Sequence, residues 1–212
     1  GFDRPNLHFA VQRTRDKDRS LLEFLRKHDK QCGVIYCATR SKVESVTQQL
    51  QRHGFKALRY HAGLTPEERR NNQNAFVGGL VPLIVATNAF GMGIDKADVR
   101  FVVHYNMPKD VESYYQEAGR AGRDGLESEC LLLYDKADIA VNTYLIGHDQ
   151  PDLAWKAHEM ELLQKMTFYC NTSGCLRRVL LEYFGEKAPA KCNHCGNCDA
   201  NKNASWRRFL DI

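Results

Sequence analysis

Short, continuously apolar segments alternate along this chain with longer amphipathic segments. The apolar segments are rich in β-branched and aromatic residues, which favours strands, and they lack the polar alternation of a half-exposed strand. Uninterrupted apolar strands belong in a parallel sheet that is covered by helices on both faces. The predicted strands are CGVIYCA (32–38), KALRYHAG (56–63), VPLIVAT (81–87), RFVVHY (100–105) and ECLLLYD (129–135).

Residues 1–148 are therefore predicted to form an α/β domain with a parallel sheet between two layers of helices. Two of its helices carry N-terminal capping signals, Ser41 with Glu44 and Thr65 with Pro66 and Glu68. In such a sheet, ligands bind beyond the carboxyl ends of the strands. We expect four loops at that edge: CATRSK, YHAGLT, VATNAFGMGIDKAD and the turn that carries Arg120.

A second unit, residues 149–204, is predicted from a change of pattern after Gly147. Two helical stretches, 153–169 and 176–184, lead there into a cysteine-rich loop. Residues 205–212 are interpreted as the start of a further element. We thus expect an α/β domain followed by a small, mostly helical subdomain.

A metal site is predicted in this second unit, because four cysteines have the spacing of tetrahedral zinc ligands. Three competitors could replace one of the four, namely Cys170, His194 and Asp199, and ordinary reduced thiols are the alternative to any metal. A closed four-sulfur site leaves no position for water, so zinc would be structural. The predicted ligands are Cys175, Cys192, Cys195 and Cys198.

The bulk composition excludes several classes of protein. With 43% hydrophobic and 26% charged residues the chain is typical of globular proteins, and no apolar run approaches the roughly 20 residues that span a bilayer. The first residues lack the features of a secretory signal, which leaves the cytosol as the expected compartment. A net charge of +4 permits nucleic-acid binding without requiring it.

Two arginines, Arg120 and Arg123, stand three residues apart in the glycine-rich turn QEAGRAGRDG. A guanidinium group presents paired donors to oxyanions, which favours a phosphate ligand. The chain nevertheless contains no G-x-x-x-x-G-K-[ST] phosphate loop and no acidic cluster suited to magnesium. Some other part of the nucleotide site must therefore come from elsewhere.

The segments GVIYCATRSKVE, YHAGL, VATNAFGMGIDKADVRFVVHYNMP, SYYQEAGRAGRDG and CLRRVLLEYFGE, followed by the cysteine cluster, resemble the second half of a RecQ-family DNA helicase. The resemblance implies a second RecA-like lobe and a zinc-binding subdomain, with ATP held between this lobe and a first lobe outside the sequence. It also implies that Arg120 and Arg123 reach the γ-phosphate and that Gln116 orients within the same cleft. Asp95 and Gly93 would face the nucleotide.

The same resemblance implies a surface that grips DNA by its backbone. Its predicted contacts are Thr39, Arg40, His61, Thr87 and Asn88. Arg4, in the connector FDRPNL, either touches the nucleotide cleft or belongs to a segment that merely docks. A basic patch facing the duplex is a further expectation, formed by Arg177, Arg178, Lys191, Arg207 and Arg208.

The function implied is that of an ATP-dependent 3′–5′ DNA helicase, active only when these residues are joined to a first lobe. The expected partners are single-stranded DNA, the duplex junction and that first lobe in cis, in a monomer that does not bind membranes. Structural Zn²⁺ belongs to the chain itself, whereas ATP and Mg²⁺ require the first lobe. The expected setting is DNA repair and recombination in a bacterial-type cytosol or nucleoid, with the nucleus left open. The alternative is a stand-alone zinc-dependent nucleic-acid-binding or scaffold protein without catalysis.

Overall fold

A computed structural model describes residues 1–149 and 152–210, with side chains at all of these except 149 and 204–210. Over this part of the chain six strands form one parallel sheet in the order β1-β6-β5-β2-β4-β3. The predicted parallel sheet is confirmed. Its strands are β1 (Leu7–Arg13), β2 (Gly33–Tyr36), β3 (Ala57–Tyr60), β4 (Leu83–Ala86), β5 (Phe101–His104) and β6 (Ser128–Tyr134).

The helices of the described residues follow the order that the sequence pattern indicates. Five of them precede residue 150 and three follow residue 152. They are α1 (Lys17–Lys27), α2 (Arg40–Arg52), α3 (Pro66–Val77), α4 (Val111–Ala118), α5 (Ala137–Asp149), α6 (Leu153–Asn171), α7 (Leu176–Tyr183) and α8 (Gly196–Leu210). The boundary predicted at residue 205 falls inside α8, so no new backbone element begins there.

Two apolar layers cover the sheet, one on each face. The first lies between the sheet and helices α1 and α2, and includes Leu25, Val46 and Phe101. The second lies under α3, α4, α6 and α7, and contains Tyr114 and Tyr169. The α/β class with helices on both faces is thus confirmed, and the second layer continues without a break from the α/β domain into the cysteine cluster.

Strand β1 was not predicted from the sequence, in which FDRPNL (2–7) was interpreted as a connector and no strand was assigned before residue 32. It lies at one edge of the sheet, where β6 is its neighbouring strand, from Leu7 opposite Ser128 to Arg13 opposite Tyr134. The side chain of Leu7 is fully buried and that of Phe9 almost so. An edge strand needs only one apolar face, which explains why its signal is weak.

The capping predictions give one correction and one confirmation. Thr39, not Ser41, caps α2, because its Oγ1 accepts from the Lys42 N–H at 3.1 Å. Helix α3 begins as predicted, with Thr65 Oγ1 accepting from the Glu68 N–H at 3.1 Å. None of the helices in the described residues is long and apolar enough to cross a membrane.

Candidate functional site

The turn that carries the paired arginines is fixed by α4 and two glycines. Helix α4 ends at Gly119, and Gly122 and Gly125 take φ of 56° and 82°, which glycine adopts without strain. The Gly122 N–H donates to the Val99 oxygen at 2.8 Å, just before β5 begins. The turn therefore lies at the amino ends of the strands, so the expectation that it shares the carboxyl edge is wrong.

The side chains of Arg120 and Arg123 nevertheless contact the segment 90–95, which is part of the connection between β4 and β5. Arg120 Nη1 donates to the Gly91 oxygen at 2.7 Å, and Arg123 Nη1 donates to the Ile94 oxygen at 3.2 Å. Arg123 Nη1 also lies 3.5 Å from Asp95 Oδ1. Arg120 thus binds a backbone carbonyl, and Arg123 binds a carbonyl and faces the exposed carboxylate of Asp95, so neither guanidinium group is held by a buried carboxylate.

Three other predicted nucleotide residues take positions around these arginines. Asp95 is 92% exposed and Gly93 is also exposed, so the two form an accessible rim beside Arg123. Gln116 is exposed on α4, one helical turn before Arg120. Among the described residues the Nε of Arg120 is buried without a hydrogen-bond partner. An unpaired buried donor is uncommon in folded proteins and marks Arg120 as a group whose hydrogen bonding is incomplete in this conformation.

Tyr36, which the sequence analysis did not single out, links this region to β2. Its hydroxyl donates to the Phe90 oxygen at 3.0 Å, one residue before the carbonyl that Arg120 uses. Burial raises the pKa of Tyr36 above its usual value, although the nearby Arg120 charge partly offsets this. An apolar strand position gives no sign of such a role, because only the folded chain brings it to segment 90–95.

The predicted DNA contacts lie at the opposite, carboxyl edge. Arg40 and Asn88 are exposed, and Thr39 and Thr87 are half-buried. The loop that contains His61 and Gly63 lies against the side chain of Arg40. A Cβ built on Gly63 would stand 3.4 Å from Arg40 Cδ. Here hydroxyl, amide and guanidinium groups face solvent at the ends of neighbouring strands, which suits backbone phosphates.

His61 behaves differently from the other four because it turns inward. It is 6% exposed, its Nδ1 accepts from the Gly63 N–H at 3.0 Å, and its Nε2 lies 2.6 Å from Glu44 Oε1. Burial opposes ionisation of Glu44, but the hydrogen bonds from His61 and Arg59 outweigh it and lower the pKa of that carboxyl. With both ring nitrogens engaged, His61 is built to hold the loop rather than to contact a ligand.

The four predicted ligand cysteines converge on one point. Their sulfur atoms all lie within 4.8 Å of one another, and the pairs Cys192–Cys198 and Cys175–Cys195 are each 4.0 Å apart. Four ligands at 2.3 Å from a tetrahedral zinc would stand about 3.8 Å apart, so the cluster has the size of a zinc site.

Cys175 is prepared for a thiolate by its place at the N-terminus of α7. Its Sγ accepts from the N–H groups of Arg178 at 3.5 Å and Cys192 at 3.4 Å. Burial alone would raise the pKa of Cys175, but these hydrogen bonds lower it below the usual value. Burial instead raises the pKa of Cys192 and Cys198, so Cys175 is the thiol of the cluster with the clearest preference for the deprotonated form that binds metal ions.

The three competing ligands point elsewhere. Cys170 is buried within α6 and lies outside the cluster, and burial raises its pKa. His194 Nε2 lies 3.0 Å from Glu127 Oε2, and Asp199 Oδ2 lies 2.8 Å from His8 Nε2. Each already has a partner or a core position, so the cluster consists of sulfur alone.

The segment 175–198, which carries the four clustered cysteines and is called the cysteine module below, packs against the edge of the sheet. Cys195 forms a parallel bridge with Phe9 of β1, and Gly196 approaches Ala10 so closely that a Cβ would lie 3.1 Å from the alanine Cβ. Of the expected basic patch, Lys191 and Arg178 are exposed, but Arg177 is only 6% exposed and faces the chain interior. The side chains of Arg207 and Arg208 lie outside the described residues.

Two protein families match this chain, one over the segment with the paired arginines and one over the segment with the cysteine cluster. Residues 16–125 match the helicase conserved C-terminal domain, and residues 136–199 match the RecQ zinc-binding domain. The first match contains the paired-arginine turn and the second contains all the clustered cysteines.

Individual relatives extend the similarity to nearly the whole chain. The ATP-dependent DNA helicase RecQ of Bacillus subtilis is 45% identical over 96% of this chain and 34% of its own length. A putative ATP-dependent RNA helicase of Acanthamoeba polyphaga mimivirus is 39% identical over 93% of this chain and 36% of its own length. An ATP-dependent helicase of Saccharomyces cerevisiae is 39% identical over 96% of this chain and 14% of its own length. The chain thus spans about a third or less of these relatives.

Proposed function

This chain belongs to the RecQ family of helicases, and on that premise we propose that it supplies the second motor lobe and the zinc module of an ATP-dependent 3′–5′ DNA helicase. The observation that carries the proposal is that Arg120 and Arg123 bind backbone carbonyls of segment 90–95, free of buried carboxylate partners, in the same fold as a four-cysteine cluster. Binding of nucleic acid follows from the names of the relatives.

On the nucleotide side, Arg120 and Arg123 would stabilise charge that develops on the γ-phosphate of ATP, with Mg²⁺ held by a first lobe in cis. Arg123 lies 3.5 Å from the exposed Asp95, and Arg120 binds the oxygen of Gly91 in the same segment, so a phosphate approaching this segment would meet two positioned guanidinium groups. Exposed Gln116 would orient a group in the same cleft. The chain offers no phosphate loop of its own, so we expect no ATP hydrolysis from residues 1–212 alone.

On the DNA side, Arg40, Asn88, Thr39 and Thr87 would hold the backbone of a single strand near the duplex junction. These side chains can bind phosphate oxygens without reading bases, as translocation along any sequence requires. His61 would act indirectly, since Glu44 and Gly63 occupy both of its nitrogens.

The four-cysteine cluster would hold structural zinc, because a set of four thiolates completes the tetrahedral coordination and leaves no site for water. Its role is then to fold the segment after α6 onto β1. We further propose that the protein acts as a monomer in DNA repair and recombination, in the cytosol or nucleoid of a bacterial-type cell or in a nucleus.

The test is DNA-stimulated ATP hydrolysis by a polypeptide that joins this chain to a first helicase lobe. Arg123→Ala should lower kcat by about 10³-fold or more while the affinity for single-stranded DNA stays nearly unchanged. Arg19→Ala is the matched control, because Arg19 is a surface arginine of α1 that pairs with Glu23 one helical turn away. Equal rates for Arg123→Ala and wild type would refute the proposed role.

One sequence property favours a second candidate, a zinc-dependent nucleic-acid-binding or scaffold protein without catalysis. The 212 residues contain no phosphate loop, so binding is the only activity that they could perform alone. The two candidates separate in the joined polypeptide. A DNA-stimulated ATPase supports the helicase, whereas DNA binding without hydrolysis supports the binding protein.

A further inference from the structure

The guanidinium group of Arg4 lies against the turn that carries the paired arginines. Its nitrogens donate to the carbonyl oxygens of Gly119, Ala121 and Gly122 at 3.1, 3.0 and 3.1 Å. Gly119 is the C-cap residue of α4, and Ala121 and Gly122 follow it in the turn, so a cation that binds all three carbonyls fixes how the chain leaves the helix. Arg4 therefore sets the course of the backbone on both sides of Arg120.

Arg177 in turn holds the backbone of Arg4. It lies on α7, two residues after Cys175, and is 6% exposed. Its Nη1 donates to the Arg4 oxygen at 2.7 Å and to Asp3 Oδ1 at 2.8 Å, and its Nη2 donates to the Leu7 oxygen. The connector before β1 is thus tied on one side to the cysteine module and on the other to the arginine turn.

We propose that Arg4 and Arg177 are positioning residues that tie the geometry of the paired-arginine turn to the folded cysteine module. The contacts run from Cys175 through α7 to Arg177, then to Arg4, then to the turn. The catalytic consequence rests on the proposed function, but the physical link does not. Because a misplacement of about 1 Å can cost on the order of 100-fold in rate, a small shift of the turn would be felt in turnover.

Arg13 provides a matched control for both residues. Its Nη2 donates to the Asn171 oxygen at 2.7 Å, so it also joins β1 to the cysteine-bearing half of the chain. Within the described part of the chain, Arg13 forms no hydrogen bond or ion pair with the turn at 119–125. Substitution of a residue that merely joins β1 to the cysteine-bearing half should leave the turn at 119–125 unchanged, as we expect for Arg13. Substitution of a positioning residue should alter the structure of that turn.

The first experiment measures amide hydrogen exchange in the 212-residue chain loaded with zinc. Arg4→Ala and Arg177→Met should speed exchange of the amides at 119–125, and Arg13→Ala should leave them as in wild type. Metal removal by a chelator should reproduce the Arg177→Met pattern. Unchanged exchange in Arg4→Ala, or the same change in Arg13→Ala, would overturn the proposal. If the Arg177→Met protein does not fold, Arg177→Lys is used instead. Lysine keeps the positive charge but cannot bind Asp3 and the backbone oxygens of Arg4 and Leu7 at the same time.

The second experiment measures ATP turnover in the polypeptide that includes a first lobe. Arg4→Ala should lower kcat by on the order of 10- to 100-fold, with KM for ATP, DNA affinity and zinc content close to wild type. Full turnover in Arg4→Ala beside lost turnover in Arg123→Ala would refute the positioning role and leave the proposed function intact. An inactive wild type would refute the function, and the exchange experiment would then decide the link.

Discussion

Arg120 lies directly over the backbone of Gly91. Its Nη1 donates to the Gly91 oxygen at 2.7 Å, and a Cβ built on Gly91 would stand 2.0 Å from Arg120 Nη2. Gly91 also has a φ of 147°, a conformation that side chains rarely allow. The absence of a side chain at Gly91 is thus what lets the guanidinium group approach this carbonyl.

Gly91→Ala should displace Arg120 and lower the kcat of DNA-stimulated ATP hydrolysis by on the order of 100-fold. The physical reason is the overlap of the new methyl group with the guanidinium group, which must move. Steady-state kinetics in a polypeptide with a first lobe provide the measurement.

Gly54→Ala is the control for this substitution. Gly54 also has a positive φ, of 85°, but a Cβ there would meet nothing within 4 Å. It should cost roughly 1 kcal/mol of stability through backbone strain and leave turnover unchanged. Similar kcat losses in the two variants would show that strain, not the displacement of Arg120, is responsible.

Cys195→Ala should abolish stoichiometric zinc binding, whereas Cys170→Ala should retain about one zinc per chain. Cys195 lies within the sulfur cluster, and Cys170 is a buried thiol of α6 outside it. We expect Cys170→Ala to cost only about 1–2 kcal/mol of stability through the lost sulfur volume. Metal analysis and thermal unfolding measure the two effects. Loss of zinc from Cys170→Ala would contradict the four-cysteine assignment.

Glu44→Gln should change the acid sensitivity of the protein. The hydrogen bonds of Glu44 with His61 and Arg59 lower its folded-state pKa below 4.5 in spite of burial. Its ionised form therefore stabilises the fold above that ordinary pKa, and this contribution is lost as the pH falls through the lower folded-state pKa.

The gap in unfolding free energy between wild type and Glu44→Gln should accordingly be largest near neutral pH and should narrow as the pH falls below the usual pKa of a glutamate. Denaturant unfolding at several pH values measures it. A gap that stays constant or widens on acidification would show that the carboxylate is not stabilised in the folded state.

Arg40→Ala should weaken binding of single-stranded DNA uniformly across sequences and reduce the salt dependence of binding by about one phosphate contact. Arg52→Ala is its matched control, since both arginines are exposed and lie at opposite ends of α2. Titrations at several salt concentrations give the slopes. Equal slopes for Arg40→Ala and wild type would remove this residue from the DNA surface.

The sheet and the cysteine cluster could be predicted because their signals are local. Continuous apolar runs such as the one around Ile35 predict buried parallel strands, and the cysteine spacing predicts convergent ligands. Strand β1 was missed because its buried residues, Leu7 and Phe9, alternate with partly exposed ones over a short stretch. Ser41 and Thr39 both carry a hydroxyl group, and only the end of β2 decides which of them caps α2.

The arrangement of the arginines could not be predicted in the same way. Charge alone placed Arg177 on a solvent-facing patch, but the fold surrounds it with carbonyl oxygens of the connector and with the ring of Phe9, 5.5 Å away. The place of the 119–125 turn depends on the length of α4, which returns the chain to the amino ends of the strands. Roles of this kind arise from contacts between residues more than 100 positions apart, as for Arg4 and Gly122.

The bridge between Phe9 and Cys195 affects the tendency of the protein to self-associate as well as the position of a metal ligand. Strand β1 is at the margin of the sheet, and the cysteine loop lies along its otherwise unpaired side. A bare strand margin is a template for pairing with other chains. A metal that holds the cysteine loop in place would therefore keep this edge of β1 covered. Without the metal, we expect the protein to form intermolecular β-structure before it unfolds completely.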